Sequence, residues 1–268
     1  MSTGLDSMTS RQVSIMNLLQ KSGFVSTSEL AESFSVSEMT IRRDTRQLAS
    51  GGLVRVVHGG VSLVNPAGHN ADFAARARIE AEAKHSVALA CLGLVGSRDA
   101  IIIDAGTTTF QIINEMPIAF EGTVITNSAP AIQRCLQMTK ARTICLGGEL
   151  LLDSQAFTGP MTRAAVEGLR AQIAFIGVSG VHENSFYIER DVERPTKLAL
   201  MEAAEQVVVV ATHDKINRSA LVRLMDFSSV DILVTDAPPP ADIRQALRAA
   251  AVELIIAKSP TGGAGRPN

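Results

Sequence analysis

The sequence predicts two domains, a small α+β unit with three helices and a β-hairpin, followed by a larger α/β unit built on a parallel sheet. Two observations predict this arrangement. The first sixty residues contain three stretches with helical spacing and then two β-branched runs on either side of "HGG". From Ala100 onward, short apolar runs alternate with helical patterns, as buried parallel strands and their crossover helices do.

The overall composition narrows the class of protein. A chain of 268 residues, 46% of them hydrophobic, has room for a core in each domain. No apolar run approaches the roughly 20 residues of a membrane span, and the first residues lack the basic and apolar regions of a secretory signal. The expectation is therefore a cytoplasmic protein without a membrane partner.

The cysteines give no sign of a redox or metal framework. Cys91, Cys135 and Cys145 are odd in number, lie in apolar or helical contexts and show no CxxC spacing. They are expected to be buried thiols, and neither they nor the histidines have the spacing of metal ligands. No metal and no cofactor is predicted.

Three helices are expected in the first domain. Residues 9–22 predict the first and residues 27–35 a short second one, with the extended piece "FVS" between them. After the turn "SVS", Ser37 is a good N-cap for a third helix that runs to about Ala49, where "SGG" ends it. Two helices joined by so short a turn fit a helix-turn-helix.

The third helix has a polar outward face. Ile41, Thr45 and Leu48 follow each other at i, i+4 and i+7 and therefore share the inward face. Between residues 39 and 60 the chain has four arginines and one carboxylate, although its formal net charge is -2. Arginine binds phosphates or guanine and glutamine binds adenine, so this helix is predicted to enter a DNA major groove. The candidate DNA contacts on it are Ser37, Thr40, Arg42, Arg43, Arg46 and Gln47.

The hairpin behind this helix favours the same interpretation. The β-branched runs "LVRVV" and "VSLV" flank a turn in which Gly59 and Gly60 tolerate positive φ. Such a hairpin forms a wing whose Arg55 and His58 reach the DNA backbone or minor groove, although His58 also fits a capping role at the turn. A lone basic helix face is usually only solvated; its place before a hairpin is what indicates DNA binding.

These residues resemble a known family. The stretch "VSTSELAESFSVSEMTIRRDTRQLASGGLVRVVHGG" resembles the winged helix-turn-helix of the DeoR family of bacterial transcriptional regulators, especially its glycerol-3-phosphate repressor branch. One position departs from the family pattern, because Thr45 stands where leucine is usual. Since Thr45 faces the core, its hydroxyl is expected to bond a carbonyl one turn back.

Residues 8–64 are thus predicted to be the winged helix-turn-helix, residues 65–72 a polar linker and residues 73–258 the α/β domain. The stretch "FAARARIEAEAKHSVALACLGLV" predicts one long helix at the start of that domain. Seven apolar runs predict its strands, namely "AIIID", "TVIT", "RTICL", "IAFIGV", "VVVVA", "DILVT" and "VELIIA". Residues 259–268 are rich in Gly and Pro and are expected to be a disordered tail.

Polar motifs follow several of these strands, where ligand sites of α/β folds gather. Asp104 ends the first strand and threonines 107–109 begin the next helix, so that free N–H groups and hydroxyls form a phosphate cradle. "VITNS" and "CLGGE" repeat the pattern after later strands. Each motif alone also fits ordinary turn and cap chemistry. Lys197 and Lys215 supply positive charge for a phosphorylated ligand if they converge on the same crevice.

The second domain also resembles the DeoR family, whose carboxyl domain is similar to sugar-phosphate isomerases of the ribose-5-phosphate isomerase type. The matching stretches are "DAGTTT", "TNS", "GGE", "FIGVSG", "HDK", "TD" and the "ExxxK" of Glu193 and Lys197. Pro195 and His213 depart from the family pattern. The resemblance implies a sugar-phosphate effector site. Together with the glycine of "CLGGE", the candidates are Asp104, Gly106, Thr107, Thr108, Thr109, Thr126, Asn127, Gly147, Lys197 and Lys215.

The sequence thus predicts a DNA-binding transcriptional regulator and not an enzyme. We expect a repressor of a sugar or polyol catabolic operon, whose binding to double-stranded operator DNA is controlled by a phosphorylated sugar or polyol, with the sign of control open. A homodimer or homotetramer is expected, because one winged helix reads only a few base pairs. The less favoured alternatives are an active isomerase that uses Asp104 and Glu193 for proton transfer, and a metal-responsive regulator.

Overall fold

A computed structural model of the protein describes residues 9–22, 24–50, 54–57, 59–63 and 70–258. The chain forms two compact units. The first unit comprises Met1–Ile79 with Leu152–Ser154, and the second comprises Glu80–Leu151 with Gln155–Asn268. The predicted tail, residues 259–268, lies outside the described residues.

The predicted helices and hairpin are present in the first unit. Its elements are α1 (Ser10–Ser22), β1 (Phe24–Ser26), α2 (Thr27–Ser33), α3 (Glu38–Ser50), β2 (Val54–Val57) and β3 (Gly60–Leu63). The strands form an antiparallel sheet in the order β1-β3-β2. Helices and strands share one apolar core, formed by Ile15, Leu19, Val25, Leu30, Ile41, Leu48, Val54 and Val61. The α+β class of this unit is therefore confirmed.

Thr45 lies in this core, as its position on α3 predicts. Its side chain is buried, and its Oγ1 donates to the carbonyl oxygen of Ile41 at 2.9 Å, one turn back. The hydroxyl is satisfied by the backbone of its own helix and needs no partner from another element. The expected bond of Thr45 is thus confirmed.

The two glycines of the hairpin turn have different roles. Gly59 has a φ of +78°, the left-handed conformation that glycine adopts without strain. Gly60 does not; a Cβ at Gly60 would lie 2.5 Å from the Phe24 ring and 2.6 Å from the Val25 carbonyl oxygen. The prediction of positive φ is therefore wrong for Gly60, where glycine is needed because β1 approaches closely.

The predicted single long helix after the linker is wrong. Two helices stand there, α4 (Asn70–Arg78) and α5 (Ala81–Leu92), because Glu80 adopts a left-handed conformation with φ 52° and ψ 42°. α4 packs against β1 and β3 of the first unit, whereas α5 belongs to the second. The units therefore divide between Ile79 and Glu80, while the sequence places the start of the second domain at residue 73. The last residues of the predicted linker are already helical.

The second unit is built on a parallel sheet. Its strands, in chain order, are β4 (Ala100–Ile103), β5 (Thr123–Thr126), β6 (Arg142–Cys145), β7 (Glu149–Leu151), β8 (Ala156–Thr158), β9 (Ala171–Gly177), β10 (Gly180–His182), β11 (Ser185–Ile188), β12 (Ala204–Val210), β13 (Val222–Asp226), β14 (Ile232–Thr235) and β15 (Glu253–Ile256). Seven of them form the parallel sheet in the order β15-β14-β12-β9-β4-β5-β6. They coincide with the seven apolar runs, so the α/β class is confirmed.

The second unit also contains two small antiparallel sheets that the sequence analysis does not predict. β7 pairs with β8, and β10, β11 and β13 form a second small sheet. Their strands have three to five residues and mix polar with apolar side chains. They lack the continuous apolar run that marks a buried strand.

Helices cover both faces of the parallel sheet. After α5 they are α6 (Thr107–Glu115), α7 (Ala129–Cys135), α8 (Pro160–Val166), α9 (Arg194–Glu202) and α10 (Ala241–Ala249). Successive strand residues alternate between two cores: Ile102 packs with α9 and α10, whereas Ile101 and Ile103 pack with α5, α6 and α7. The parallel strands all point the same way, so the polar residues that follow them gather at one edge of the sheet.

Two further predictions concern the whole chain. Among the described residues, no helix combines the length and the apolar character needed to cross a membrane. Cys91 and Cys135 are buried free thiols, as predicted. The expectation that Cys145 is buried is wrong, because this residue ends the edge strand β6 and is exposed.

Candidate functional site

The outward face of α3 carries the predicted basic side chains. Arg42, Arg43 and Arg46 are exposed. Arg42 lies 3.3 Å from the Glu38 carboxylate one turn back, in an exposed pair that opens at little cost. Within the described residues, Arg43 and Arg46 have no ion-pair partner. Their guanidinium groups are therefore available to an anion.

The one carboxylate that the sequence places among these arginines is withdrawn from the face. Asp44 is 7% exposed and accepts a hydrogen bond from Nε of Arg11 at 2.5 Å. This pair ties α1 to α3. Because Asp44 does not face outward, it does not repel an anion that approaches the three arginines, and the face fits a polyanion such as a nucleic acid backbone.

Ser37, Thr40 and Gln47 have partners within the unit. Ser37 Oγ accepts from the Thr40 N–H at 3.3 Å and lies 3.0 Å from Thr40 Oγ1, so it caps the start of α3. Gln47 Oε1 accepts from Nε2 of the buried Gln12 at 3.0 Å. Pairing with adenine uses that oxygen as an acceptor. Gln47 is therefore better placed to hold α1 against α3 than to read a base.

The wing residues are described in part. Arg55 lies on β2, where its Cα is paired with that of Ser62 across the hairpin. Its side chain, like the whole of His58, lies outside the described residues. The DNA contacts of Arg55 and His58 stay predictions.

A small cavity opens at the carboxyl edge of the parallel sheet, in the second unit. Its volume is about 10 Å³, and it is reached by the ends of β4 and β5, by β8 and by the start of α9. Its lining consists of Asp104, Ala105, Asn127, Ala156, Phe157, Thr158, Glu193, Thr196 and Lys197. Six of these nine residues have polar side chains, and three of the six carry a charged group.

Asp104 and Lys197 meet in this cavity as a buried ion pair. Their side chains are 1% and 6% exposed, and Lys197 Nζ donates to Asp104 Oδ2. The same carboxylate oxygen accepts from the Gly177 N–H at 3.0 Å, and Nζ donates to the Gly177 carbonyl oxygen at 3.0 Å. Burial raises the pKa of the Asp104 carboxyl, and the Lys197 ammonium opposes this rise. The pair is thus fixed to the carboxyl end of β9.

Three other predicted site residues use their side chains to hold the strand ends together. Thr109 Oγ1 donates to the Asp104 carbonyl oxygen at 2.6 Å, and Thr126 Oγ1 donates to the Ile103 carbonyl oxygen at 2.6 Å. Asn127 bonds backbone groups on two neighbouring segments, at 3.1 Å and 3.0 Å. These bonds shape the edge around the cavity, so their side chains have less to offer a ligand than the sequence suggests.

The structure brings Asp104, Asn127 and Lys197 of the ten predicted residues into the lining of this cavity. Thr108 is half-buried in the first turn of α6, with Gly106 as the N-cap. Lys215 pairs with Asp214 at 2.9 Å on the turn that follows β12. The residues that do not line the cavity are Gly106, Thr107, Thr108, Thr109, Thr126, Gly147 and Lys215.

Six residues that line the cavity are not among the ten effector-binding residues predicted from the sequence. Glu193 and Thr196 lie within one turn of Lys197, so the "ExxxK" spacing is the signal that points to them. Phe157 and Thr158 belong to β8, and the short hairpin of β7 and β8 gives no strong pattern. The six are Ala105, Ala156, Phe157, Thr158, Glu193 and Thr196.

A second polar cluster lies near the ends of β12 and β14. His213 Nδ1 lies 2.6 Å from Asp236 Oδ2, and the His213 N–H donates to Asp236 Oδ1 at 2.7 Å. His213 Nε2 lies 3.9 Å from the carboxylate of Glu80, the left-handed residue that precedes α5. The hydrogen bond to Asp236 raises the pKa of the His213 imidazole, against an opposing effect of desolvation.

His213→Gln is therefore expected to lower stability in a pH-dependent way. Since the folded-state pKa is raised, the stabilising effect is fully present below the unfolded value of about 6.5 and is lost as the pH rises through the folded value. The difference in urea midpoint between the two proteins should be largest below about pH 6.5 and should shrink as the pH rises above it. Asp236→Asn should remove the same dependence. A difference that stays constant with pH would contradict the assignment.

Comparison with known proteins identifies both units. Residues 11–67 match the model of the DeoR-like helix-turn-helix domain, and residues 79–237 match that of the DeoR C terminal sensor domain. The chain is 31% identical over 249 residues to the glycerol-3-phosphate regulon repressor of Escherichia coli K12, covering 92% of this chain and 98% of the relative. It is 28% identical over 239 residues to the L-fucose operon activator of Haemophilus influenzae, covering 89% and 96%.

The solved structures are less similar to this chain than the curated relatives are. Ribose 5 phosphate isomerase A from Neisseria gonorrhoeae aligns at 14% identity with a TM-score of 0.37, over 49% of this chain and 52% of that chain. The assignment therefore rests on the two domain matches, which lie on the two structural units, and on the full-length relatives. The chain belongs to the DeoR family of transcriptional regulators.

Proposed function

We propose that this regulator represses a sugar or polyol catabolic operon and that a phosphorylated sugar or polyol, bound by the second unit, controls its hold on operator DNA. The observation that carries the DNA-binding part is the face of α3. Three exposed arginines stand there, and Asp44 is turned away into its pair with Arg11. Such a face contacts phosphates and base edges in a major groove.

The effector part rests on the cavity of the second unit, hereafter the sensor domain. Asp104 and Lys197 supply a buried acceptor and a buried donor, and an ammonium has three N–H groups of which two are engaged here. The N-terminus of α6, with Thr107 and Thr108, is proposed to hold the phosphate, since free N–H groups and the helix dipole favour an anion. Lys215 is proposed to add positive charge at the same edge of the sheet.

The relatives differ in their sign of control. One is named a glycerol-3-phosphate regulon repressor and another an L-fucose operon activator. We propose repression, relieved by the effector, because the relative with the higher identity is a repressor. Glycerol 3-phosphate is the first candidate effector on the same ground.

We further propose that the active form is a homodimer or homotetramer. A single helix-turn-helix contacts one short half-site, and two copies related by symmetry read two half-sites about one helical turn apart. The isomerase alternative has less support. The family consists of regulators, and Asp104 is held by Lys197 and by Gly177, which leaves it poorly placed to accept a substrate proton.

Thr108→Asp is expected to abolish effector binding while the fold is kept. The new carboxylate repels a phosphate at the start of α6, yet an acidic residue in the first turn of a helix is favourable to the helix itself. Wild-type protein should melt at a higher temperature with one phosphorylated compound of a sugar and polyol panel, and the variant should not. Thr108→Ser, which keeps the hydroxyl, is the matched control. An unchanged response in Thr108→Asp would remove the α6 N-terminus from the site.

A further inference from the structure

The cavity of the sensor domain carries more negative than positive charge. Of its lining residues, Asp104 and Glu193 are carboxylic acids and Lys197 is the cation. The ammonium is engaged by Asp104 and by the Gly177 carbonyl oxygen, and the Lys197 side chain is 6% exposed. Its charge is therefore balanced in place. The cavity has no surplus cation among its lining residues with which to neutralise a phosphate group.

Glu193 is the carboxylate of this lining that has no partner in the part of the chain that the structure describes. It ends the 3-10 turn Asp191–Glu193 just before α9 and is half-buried. Among the described residues its carboxylate makes no hydrogen bond or ion pair. It lies near enough to Asp104 to add to the rise in the pKa of that carboxyl, which is due first to burial. An ionised carboxylate only accepts hydrogen bonds, so Glu193 presents open acceptor positions to whatever enters.

The neutral polar groups of the lining are already paired. Thr158 Oγ1 lies 3.0 Å from Thr196 Oγ1 and donates to the Val192 carbonyl oxygen at 3.1 Å. Asn127 bonds the backbone with both its oxygen and its nitrogen. Glu193 is thus the lining group with the most unused hydrogen-bonding capacity. Because a carboxylate only accepts hydrogen bonds, the group that it binds must be a donor.

The size of the cavity limits what part of a ligand it takes. Its volume is about 10 Å³, far below the roughly 300 to 1,000 Å³ typical of sites that enclose a whole small molecule and about what one water molecule occupies. A single hydroxyl group of an effector fits inside, and the rest of the effector extends beyond the lining. Charge then decides which end enters, because an anionic end would meet two carboxylates.

We propose that the cavity takes a terminal hydroxyl group from the uncharged end of the effector, that Glu193 accepts a hydrogen bond from this hydroxyl, and that the anionic group stays outside. The inference rests on the proposed function, since it assumes a phosphorylated effector. It makes Glu193 a specificity residue. The ligand class is then phosphorylated polyols and sugars, whereas phosphorylated sugar acids, whose free end is a carboxylate, are rejected by like-charge repulsion.

Calorimetric titration of the full chain with matched ligand pairs tests this inference. Glycerol 3-phosphate is paired with 3-phosphoglycerate, and sorbitol 6-phosphate with 6-phosphogluconate, so that a terminal hydroxymethyl group is exchanged for a carboxylate. In at least one pair, wild-type protein should bind the polyol at least about tenfold more tightly than the acid. Glu193→Gln, which removes the charge at nearly constant size, should shrink that ratio about tenfold or more.

Two further variants control the test. Glu202→Gln makes the same change on α9 at an exposed position outside the cavity and should leave the ratio unchanged. Glu193→Asp keeps the charge but shortens the reach, so it should still reject the acid while binding the polyol less tightly. The melting temperature of each free variant shows whether it is folded.

The possible outcomes separate the inference from the proposed function. Equal binding of polyol and acid by the wild type, or an unchanged ratio in Glu193→Gln, overturns the inference and leaves the regulator intact. Failure of the wild type to bind any phosphorylated polyol or sugar overturns the proposed effector control, and the inference with it.

Discussion

Replacing Lys197 by methionine is expected to lower the free energy of unfolding of the sensor domain by about 3 to 5 kcal/mol and to abolish the effector response. In the variant the Asp104 carboxylate, 1% exposed, keeps the Gly177 N–H as its one hydrogen-bond donor among the described residues. Urea unfolding of the full chain measures the loss through the fluorescence of Tyr187. This is the only tyrosine of a chain without tryptophan, and it lies on β11, so its signal reports on the sensor domain alone.

Two variants show whether burial of the pair is the cause. Lys215→Met removes a lysine of the same unit whose ion pair with Asp214 is about 30% exposed, and it should cost only about 0 to 1 kcal/mol. The double variant Asp104→Asn with Lys197→Met leaves no buried charge and should recover much of the loss. A Lys197→Met protein as stable as the wild type would show that the two side chains do not form a buried ion pair.

Arg43→Ala is expected to weaken operator binding by about 1 to 3 kcal/mol if Arg43 reads a base, which is roughly a 5- to 150-fold loss of affinity. Arg43 is exposed on α3, and within the described residues no carboxylate competes for it. The operator is first selected from a random duplex library with the wild-type full chain. Fluorescence anisotropy of the selected duplex then gives the affinity.

The matched control is Arg98→Ala, which makes the same charge change in the sensor domain at a side chain that is 82% exposed. It should bind operator like the wild type. Arg43→Ala should weaken binding uniformly across sequences, and lower the salt dependence by about one charge, if Arg43 contacts only phosphate. Unchanged binding to every duplex would remove Arg43 from the DNA-binding face.

Both domain folds could be predicted because their signals are local. The spacing of Ile41, Thr45 and Leu48 marks the buried face of α3, and continuous β-branched runs mark the seven parallel strands. The break at Glu80 could not be predicted, because a left-handed glutamate inside a helical pattern leaves no trace in composition. Helix α4 joins the first unit through packing that only the folded chain shows.

The candidate site could be predicted only in part. Asp104 and Lys197 belong to recognisable motifs, yet their contact spans 93 positions of the chain and depends on the order of strands in the sheet. Thr109 and Thr126 are predicted to bind the effector, but their hydroxyls bond backbone carbonyls. The sequence does not distinguish these roles, because a threonine after a strand fits either one. The pairing of Gln47 with Gln12 likewise depends on how two helices meet.

The measurement that tests effector control most directly is operator binding in the presence of ligands. The selected duplex and the full chain are mixed near half-saturation, and a panel of phosphorylated sugars and polyols is added, each beside its unphosphorylated parent. One phosphorylated compound should lower operator affinity at least about tenfold while its parent has no effect, since a ligand shifts the equilibrium only if it prefers one state. Operator affinity that is the same with every compound would contradict the account.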